Sequence, residues 1–509
     1  MQALFCLMGV IAFAPSGIAR AQNAKSLEVL HDRYVKSSAE FQRDMEEVAK
    51  LCEAGSYFSD AESVRIRAVP ASEQTLNIDE LPAQVLSSIS PDLPDAERQW
   101  RVKLRKVETD YAAVLYKLSR DALNLGHVSF SFELIREVAF HDPDHKFARR
   151  LLGFKQVGDN WTTPFAATME ARGYEYHQKF GWLPKAHVDR YEKGERLYAG
   201  NWISIEREES LRSDFNHAWE IQTEHFHVKT NHSLEVGVQI GEELESFHKY
   251  FVREFAAFFN SPAQMKRLFD QGEAGTGIGK RFTVYYFRNK QDFVRHLIRE
   301  QPNIAITNGL YLPNKRVACF FHNPGQEEAN LETMYHEVTH QLLSESNSKT
   351  YDVGVKSHFW LVEGLPCYIE SYRVEEDVVH IGDPLHPRFY WARERLVKDN
   401  EFYDFASFTS LGMQQFQHAG DVATLQKYYA QAASMTHFFL NYQDGVYRDA
   451  LLTHLSEIYD PITNVRNRAK GMDELTGVSY EVLHQQYREY LTALVPNPTT
   501  EVTAAENVE

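Results

Sequence analysis

Residues 331–343, LETMYHEVTHQLL, and residues 359–370, FWLVEGLPCYIE, decide how the rest of the chain is read. His336 and His340 are four positions apart, so on a helix they share one face and both imidazoles can reach one metal ion. Leu331, Met334, Val338 and Leu342 add an apolar stripe, which predicts a buried helix. Zinc accepts two imidazoles and a carboxylate and keeps a fourth position for water. Glu337 stands beside the first histidine, at the edge of the same face, where it can serve as a general base.

The second stretch offers two carboxylates as third ligand, Glu363 and Glu370. Glu363 lies among Trp360, Leu361, Leu365 and Ile369, and a carboxylate there is expensive to bury unless paired or bound to a metal. Glu370 is two helical turns further on and faces the same way. It reads as a partner for the outer nitrogen of a ligand histidine, or equally as an exposed or capping glutamate.

Together these motifs resemble the gluzincin clan of metallopeptidases. The likeness is closest to the peptidase-MA-like branch and to a neighbouring family of secreted bacterial zincins of unassigned function, with its tryptophan, leucine, glutamate-glycine, tyrosine and glutamate pattern. Asn308-Gly309-Leu310-Tyr311 resembles that family's upper edge strand. Tyr429-Ala430-Gln431-Ala432 and Leu475-Thr476-Gly477 resemble its helical second half, so the likeness spans roughly residues 219–491. It implies a zincin-like domain, one Zn2+ held by His336, His340 and Glu363, and peptide hydrolysis by a metal-activated water with Glu337 as general base. Gluzincins often add a Tyr or His donor for the oxyanion, and Tyr428, Tyr429 and His437 are the candidates. Pro366 replaces the family's usual small residue and predicts a local kink. No motif reads a free amino terminus, which favours an endopeptidase acting on a polypeptide. The competing reading is a non-catalytic binding or scaffold protein on the same frame, for which the base Glu337 would be superfluous.

Outward from the motifs, the pattern is α+β. Residues 225–230 and 282–287 read as strands, Ser233 as the start of a long helix, and residues 309–312 and 316–321 as a hairpin. Beyond Leu331 the chain is almost wholly helical. Upstream, helical spacing covers residues 25–53 and 96–125, separated by a Pro/Ser-rich stretch, residues 69–94. Residues 122–154 read as one tetratricopeptide-type pair broken at Asp142-Pro143-Asp144, which cannot bury its own face and suggests protein docking. Trp161, Trp182 and Trp202 each follow a turn residue, the mark of three small β-turn units with aromatic anchors. The expected division is 1–21 signal peptide, 22–155 helical region, 156–215 Trp-marked units, 216–494 zincin-like domain and 495–509 disordered tail.

Export is expected from the apolar run Leu4–Ala14, too short to span a bilayer, and from Ala19-Arg20-Ala21, with cleavage after Ala21 and a secreted or periplasmic location. No later segment is apolar enough to cross a membrane. A net charge of -17 in 509 residues gives no general attraction to nucleic acid or anionic lipid. After signal removal Cys52, Cys319 and Cys367 remain, an odd number without a C-x-x-C pair; a Cys319–Cys367 bridge is conceivable, but buried thiols fit better. Residues 272–280, GEAGTGIGK, mimic a phosphate loop yet lack its first glycine and its Ser/Thr, and so read as a plain loop. His217, His225, His227 and His232 could form a second metal site, although strand and turn histidines are the commoner explanation.

Overall fold

The computed structural model describes residues 16–69, 77–78, 80–260, 262–271, 281–346, 352–375 and 378–494. The expected signal run up to Ala14, the loop 272–280 and the tail 495–509 lie outside the described residues, as does part of the Pro/Ser-rich stretch.

The heptad-like spacing of the first hundred residues yields long helices. α1 (Ser16–Ala54) is followed by α2 (Phe58–Arg67), α3 (Asp95–Asn124), α4 (Val128–His141) and the short α5 (Lys146–Leu151). The expected cleavage point after Ala21 falls within α1. α4 packs chiefly on α3, so the dominant helical pair is α3–α4, and the break at Asp142-Pro143-Asp144 only sets off the single turn and a half of α5. Leu30, Met45, Val48, Leu115, Ile135 and Val138 form this region's core, joined by Ala256, Met265 and Phe269 from further along the chain.

Next come three short hairpins, each followed by a helix. They are β1 (Lys155–Val157) and β2 (Asn160–Thr162) with α6 (Pro164–Ala171), β3 (Tyr174–His177) and β4 (Gly181–Pro184) with α7 (Val188–Glu192), and β5 (Glu195–Tyr198) and β6 (Asn201–Ser204) with α8 (Ile205–Arg212). Each Trp packs on the unit before its own. Trp161 lies under the Arg149 guanidinium of α5, Trp182 meets Phe165 of α6 edge-on at 5.9 Å, and Trp202 meets Tyr191 of α7 at 6.0 Å. The series continues into Trp219, which lies 5.7 Å from the Arg212 guanidinium of α8. These indoles are structural anchors, as their turn-following positions suggested.

Trp219 opens a five-stranded mixed sheet of order β10-β11-β9-β8-β7, built from β7 (Trp219–Gln222), β8 (Phe226–Thr230), β9 (Phe282–Phe287), β10 (Gly309–Leu312) and β11 (Val317–Phe321). The outer pairs are antiparallel and the inner two parallel. The parallel crossover between β8 and β9 carries α9 (Leu234–Glu254), capped by Ser233, whose side chain accepts the Val236 amide hydrogen at 3.1 Å. α10 (Ala256–Phe259) and α11 (Pro262–Gln271) complete that crossover, and α12 (Lys290–Leu297) makes the next. α12 covers one face of the sheet through Phe293 and Leu297, while α9 and α13 (Glu327–Ser346) cover the other. Strand β10 forms the sheet edge beside α13.

The remainder is helical. It comprises α14 (Phe359–Ile369), the hairpin β12 (Arg373–Glu375) and β13 (Val378–His380), α15 (Pro387–Ala392), a π-helical turn at Arg393–Lys398, α16 (Phe405–Thr409) and α17 (Met413–Gln417). α18 (Val422–Asn441), α19 (Arg448–Ile458), α20 (Thr463–Arg466), α21 (Met472–Thr476) and α22 (Tyr480–Ala493) follow. The architecture is therefore α+β, with a mixed sheet, a helix-rich second half and a helical N-terminal region. No helix among the described residues is long and apolar enough to cross a membrane. Cys52, Cys319 and Cys367 are buried free thiols.

Candidate metal centre

Two helices build the centre. α13 lies on the sheet, fixed by the buried Gln341, which donates to the Thr283 carbonyl at 3.0 Å and to Glu345 at 2.8 Å. This sets the rotation of α13 and turns His336 and His340 away from the strands. α14 is buried along its whole length and packs between α13 and α18. It reaches α18 through Gly364, where a Cβ would stand 2.6 Å from both the Ala432 carbonyl and Thr436 Oγ1. Only glycine permits that approach, and the approach seats the neighbouring Glu363. The helix runs through Pro366 uninterrupted.

The side chains converge. His336 Nε2 is 3.3 Å from His340 Nε2, and Glu363 Oε2 is 3.7 Å from the first and 3.8 Å from the second. A point equidistant from the three atoms lies about 2.1 Å from each, the distance zinc takes to imidazole nitrogen and carboxylate oxygen. Glu363 is 8% exposed, and both nitrogens lie beyond hydrogen-bond range of its Oε2. Two imidazoles and a carboxylate, each able to offer a lone pair, thus converge on one point, an arrangement that suits a cation. Burial pushes the Glu363 carboxyl up to about 7 and holds the His340 imidazole well below its ordinary range.

The outer nitrogen of His336 is also engaged. Nδ1 lies 2.8 Å from Glu370 Oε1, and Arg388 grips the same carboxylate with Nε at 2.6 Å and a terminal nitrogen at 2.9 Å. Burial alone would raise Glu370, but the His336 hydrogen bond and the Arg388 charge outweigh it and bring the carboxyl down to about 2. Burial lowers the His336 imidazole, but hydrogen bonds to Cys367 and Glu370 outweigh it and hold it well above its ordinary range. With Glu370 keeping hydrogen on Nδ1, Nε2 is the position a bound metal would take, facing Glu363 and His340. Of the two readings of Glu370, the structure has the partner and not the exposed residue.

Glu337 faces the edge strand. Its Oε2 accepts the Tyr311 amide hydrogen at 2.7 Å. Burial pushes its carboxyl upward, against the pull of His336 and of that hydrogen bond. The carboxyl lies within the same electrostatic neighbourhood as His336 and Glu363.

The three oxyanion candidates part company. Tyr428 packs among Tyr403, Phe408 and Phe416. His437 does not serve either: it is buried, its Nε2 donates to the Gly382 carbonyl at 2.9 Å, and its Nδ1 accepts the Tyr490 hydroxyl at 2.7 Å. Both nitrogens are used up. Tyr429 is the one near the centre: burial and then the Glu363 charge push its phenol upward, and Arg388 lies 5.7 Å from its ring. Sequence reasoning missed Arg388, the Tyr311 amide and Tyr459, a buried phenol also raised by burial and by Glu363. No motif marks them, since their roles come from tertiary approach alone.

The suggested histidine cluster dissolves. His225 pairs with Glu245 at 2.7 Å and stacks on His248 at 4.0 Å, His227 lies 3.3 Å from Glu220, and His232 packs beside His322. Although His225, Glu245 and His248 lie close together, two stacked rings cannot both direct an in-plane lone pair at one ion.

No family model matches the chain, and no curated protein matches it.

Proposed function

We propose that the chain is an exported, gluzincin-type zinc metallopeptidase, acting as an endopeptidase on polypeptides. The observation that carries this reading is the meeting of His336, His340 and Glu363 around a point at zinc-ligand distance, with Glu337 beside them. A bound zinc supplies Lewis acidity toward a carbonyl and toward water. The protein's own groups do the rest. Glu337, raised by burial and anchored through one oxygen, takes the proton of the attacking water and returns it to the leaving amine. Glu370 and Arg388 hold His336 in one tautomer and orientation. The Tyr429 hydroxyl donates to the developing oxyanion. Strand β10 lies at the edge of the sheet beside the centre, where an extended peptide can pair with it, which favours a polypeptide over a small molecule.

The test is elemental analysis together with hydrolysis of a casein-type substrate, before and after chelation and after zinc is restored. One zinc per chain and chelator-sensitive cleavage are expected, and Glu337→Gln should keep the zinc and lose the cleavage. Absence of zinc, or full activity in Glu337→Gln, overturns the reading; zinc without any cleavage would leave a binding frame.

A further inference from the structure

Beside the metal centre lies a second feature that the reaction does not use. A cavity of about 450 Å³ opens between α13, α15, the π-helical turn and α18, with Glu332, His386, Arg388, Trp391, Arg395 and Gln426 in its wall. It shares Glu370 and Arg388 with the centre, so one carboxylate separates it from the His336 imidazole. An extended peptide advances about 3.5 Å per residue, so a cavity that shares Glu370 and Arg388 with the centre would be read by a side chain within a few residues of the cleaved bond.

The charges in this cavity are unequal. Glu370 is taken by Arg388, and Glu332 faces His386 Nε2 at 3.3 Å. Arg395 has no carboxylate among the described residues: it donates to Gln426 Oε1 at 3.1 Å and lies 5.1 Å from the Trp391 ring. That bond orients the Gln426 amide so that its NH2 group is left to donate. Trp391 is 49% exposed, a large indole on the rim with nothing over it. Arg395 sits in the six-residue π-helical turn, Arg393–Lys398, a conformation frequent at functional sites.

We infer that this cavity is a specificity pocket for an acidic side chain of the substrate, with Arg395 as the residue that reads it. The methylenes of a Glu or Asp lie along Trp391, and the carboxylate meets the Arg395 fork and the Gln426 amide. The inference rests on the peptidase reading and adds the substrate class to it.

The full-length chain is given an unbiased peptide library, and cleavage sites are read by mass spectrometry. Asp or Glu should be enriched at one position within three residues of the cleaved bond. Arg395→Gln should lower kcat/KM for the best acidic peptide at least about tenfold while its alanine analogue is cut as before. Arg395→Glu should move the preference to Lys or Arg, and Arg395→Lys should restore part of the original. Cleavage without an acidic preference in the wild-type chain, or a preference unchanged in Arg395→Gln and Arg395→Glu, overturns the pocket and leaves the peptidase standing. No cleavage that depends on Glu337 overturns the peptidase first, and the pocket with it.

Discussion

Gly309 and Glu337 are in contact: a methyl group on Gly309 would stand 2.9 Å from Glu337 Cγ and 2.7 Å from Thr333 Cγ2. The edge strand and Glu337 are therefore one fitted unit, closed further by the Tyr311 amide on Glu337 Oε2. Gly309→Ala has to displace Glu337 or the strand. Peptide hydrolysis should fall about 10- to 100-fold, with zinc content unchanged. A variant that keeps full activity would show that the position of Glu337 is not set by this contact.

Glu363 and Glu370 should differ in what they cost. Glu363→Ala removes one of the three proposed ligands and should abolish stable zinc retention. Glu370→Ala removes only the group that orients His336, and should weaken zinc binding about 10- to 100-fold. Competition with a calibrated chelator measures both. Equal losses would mean that Glu370 is itself a ligand.

Tyr429→Phe should lower kcat about 100-fold or more with KM nearly constant, because in the proposed reaction the hydroxyl acts on charge that develops only in the transition state. Tyr428→Phe, one residue away in an aromatic cluster, should leave kcat within about twofold. Steady-state kinetics on one peptide separates the two, and equal effects would remove Tyr429 from the reaction.

Gly364→Ala places a methyl group 2.6 Å from the Ala432 carbonyl, which is backbone and cannot swing aside. The α14–α18 contact must open, at a cost of about 1–3 kcal/mol. A denaturant titration should show the loss, and zinc affinity should drop with it because Glu363 rides on the same turn.

Burial holds His437 neutral, with its pKa lowered from 6.5 to about 4. The unfolded chain takes up that proton first as the pH falls. The stabilising difference is therefore complete above about 6.5 and is lost progressively toward 4, up to about 3 kcal/mol for this group. Unfolding midpoints between pH 7 and 4 should fall less steeply in His437→Gln than in the wild-type chain. Parallel slopes would contradict the assignment.

Much of this was legible in the chain. The β-branched and aromatic run in residues 282–287 marked β9 to the residue, and Ser233 marked the start of α9, because both signals are local. His336, His340 and Glu363 were legible because spacing on two helices and the expense of a buried carboxylate point the same way. What was not legible depends on approach between distant segments. Arg388 reaches Glu370 from α15, and nothing around Arg388 announces it. The hairpins of residues 155–204 have strands of three or four residues, too short for alternation to register. His437 looked available beside Tyr429 because only the fold shows Gly382 and Tyr490 occupying both its nitrogens.

The indole-on-previous-unit arrangement from Trp161 to Trp219 works as a ruler. Because every rung borrows its support from the rung below, the interval between the α-helical base and the first strand is counted in whole units. Excising one interior rung should shorten the interval by a fixed step, whereas removing Trp219 should detach the count from the sheet it measures out to.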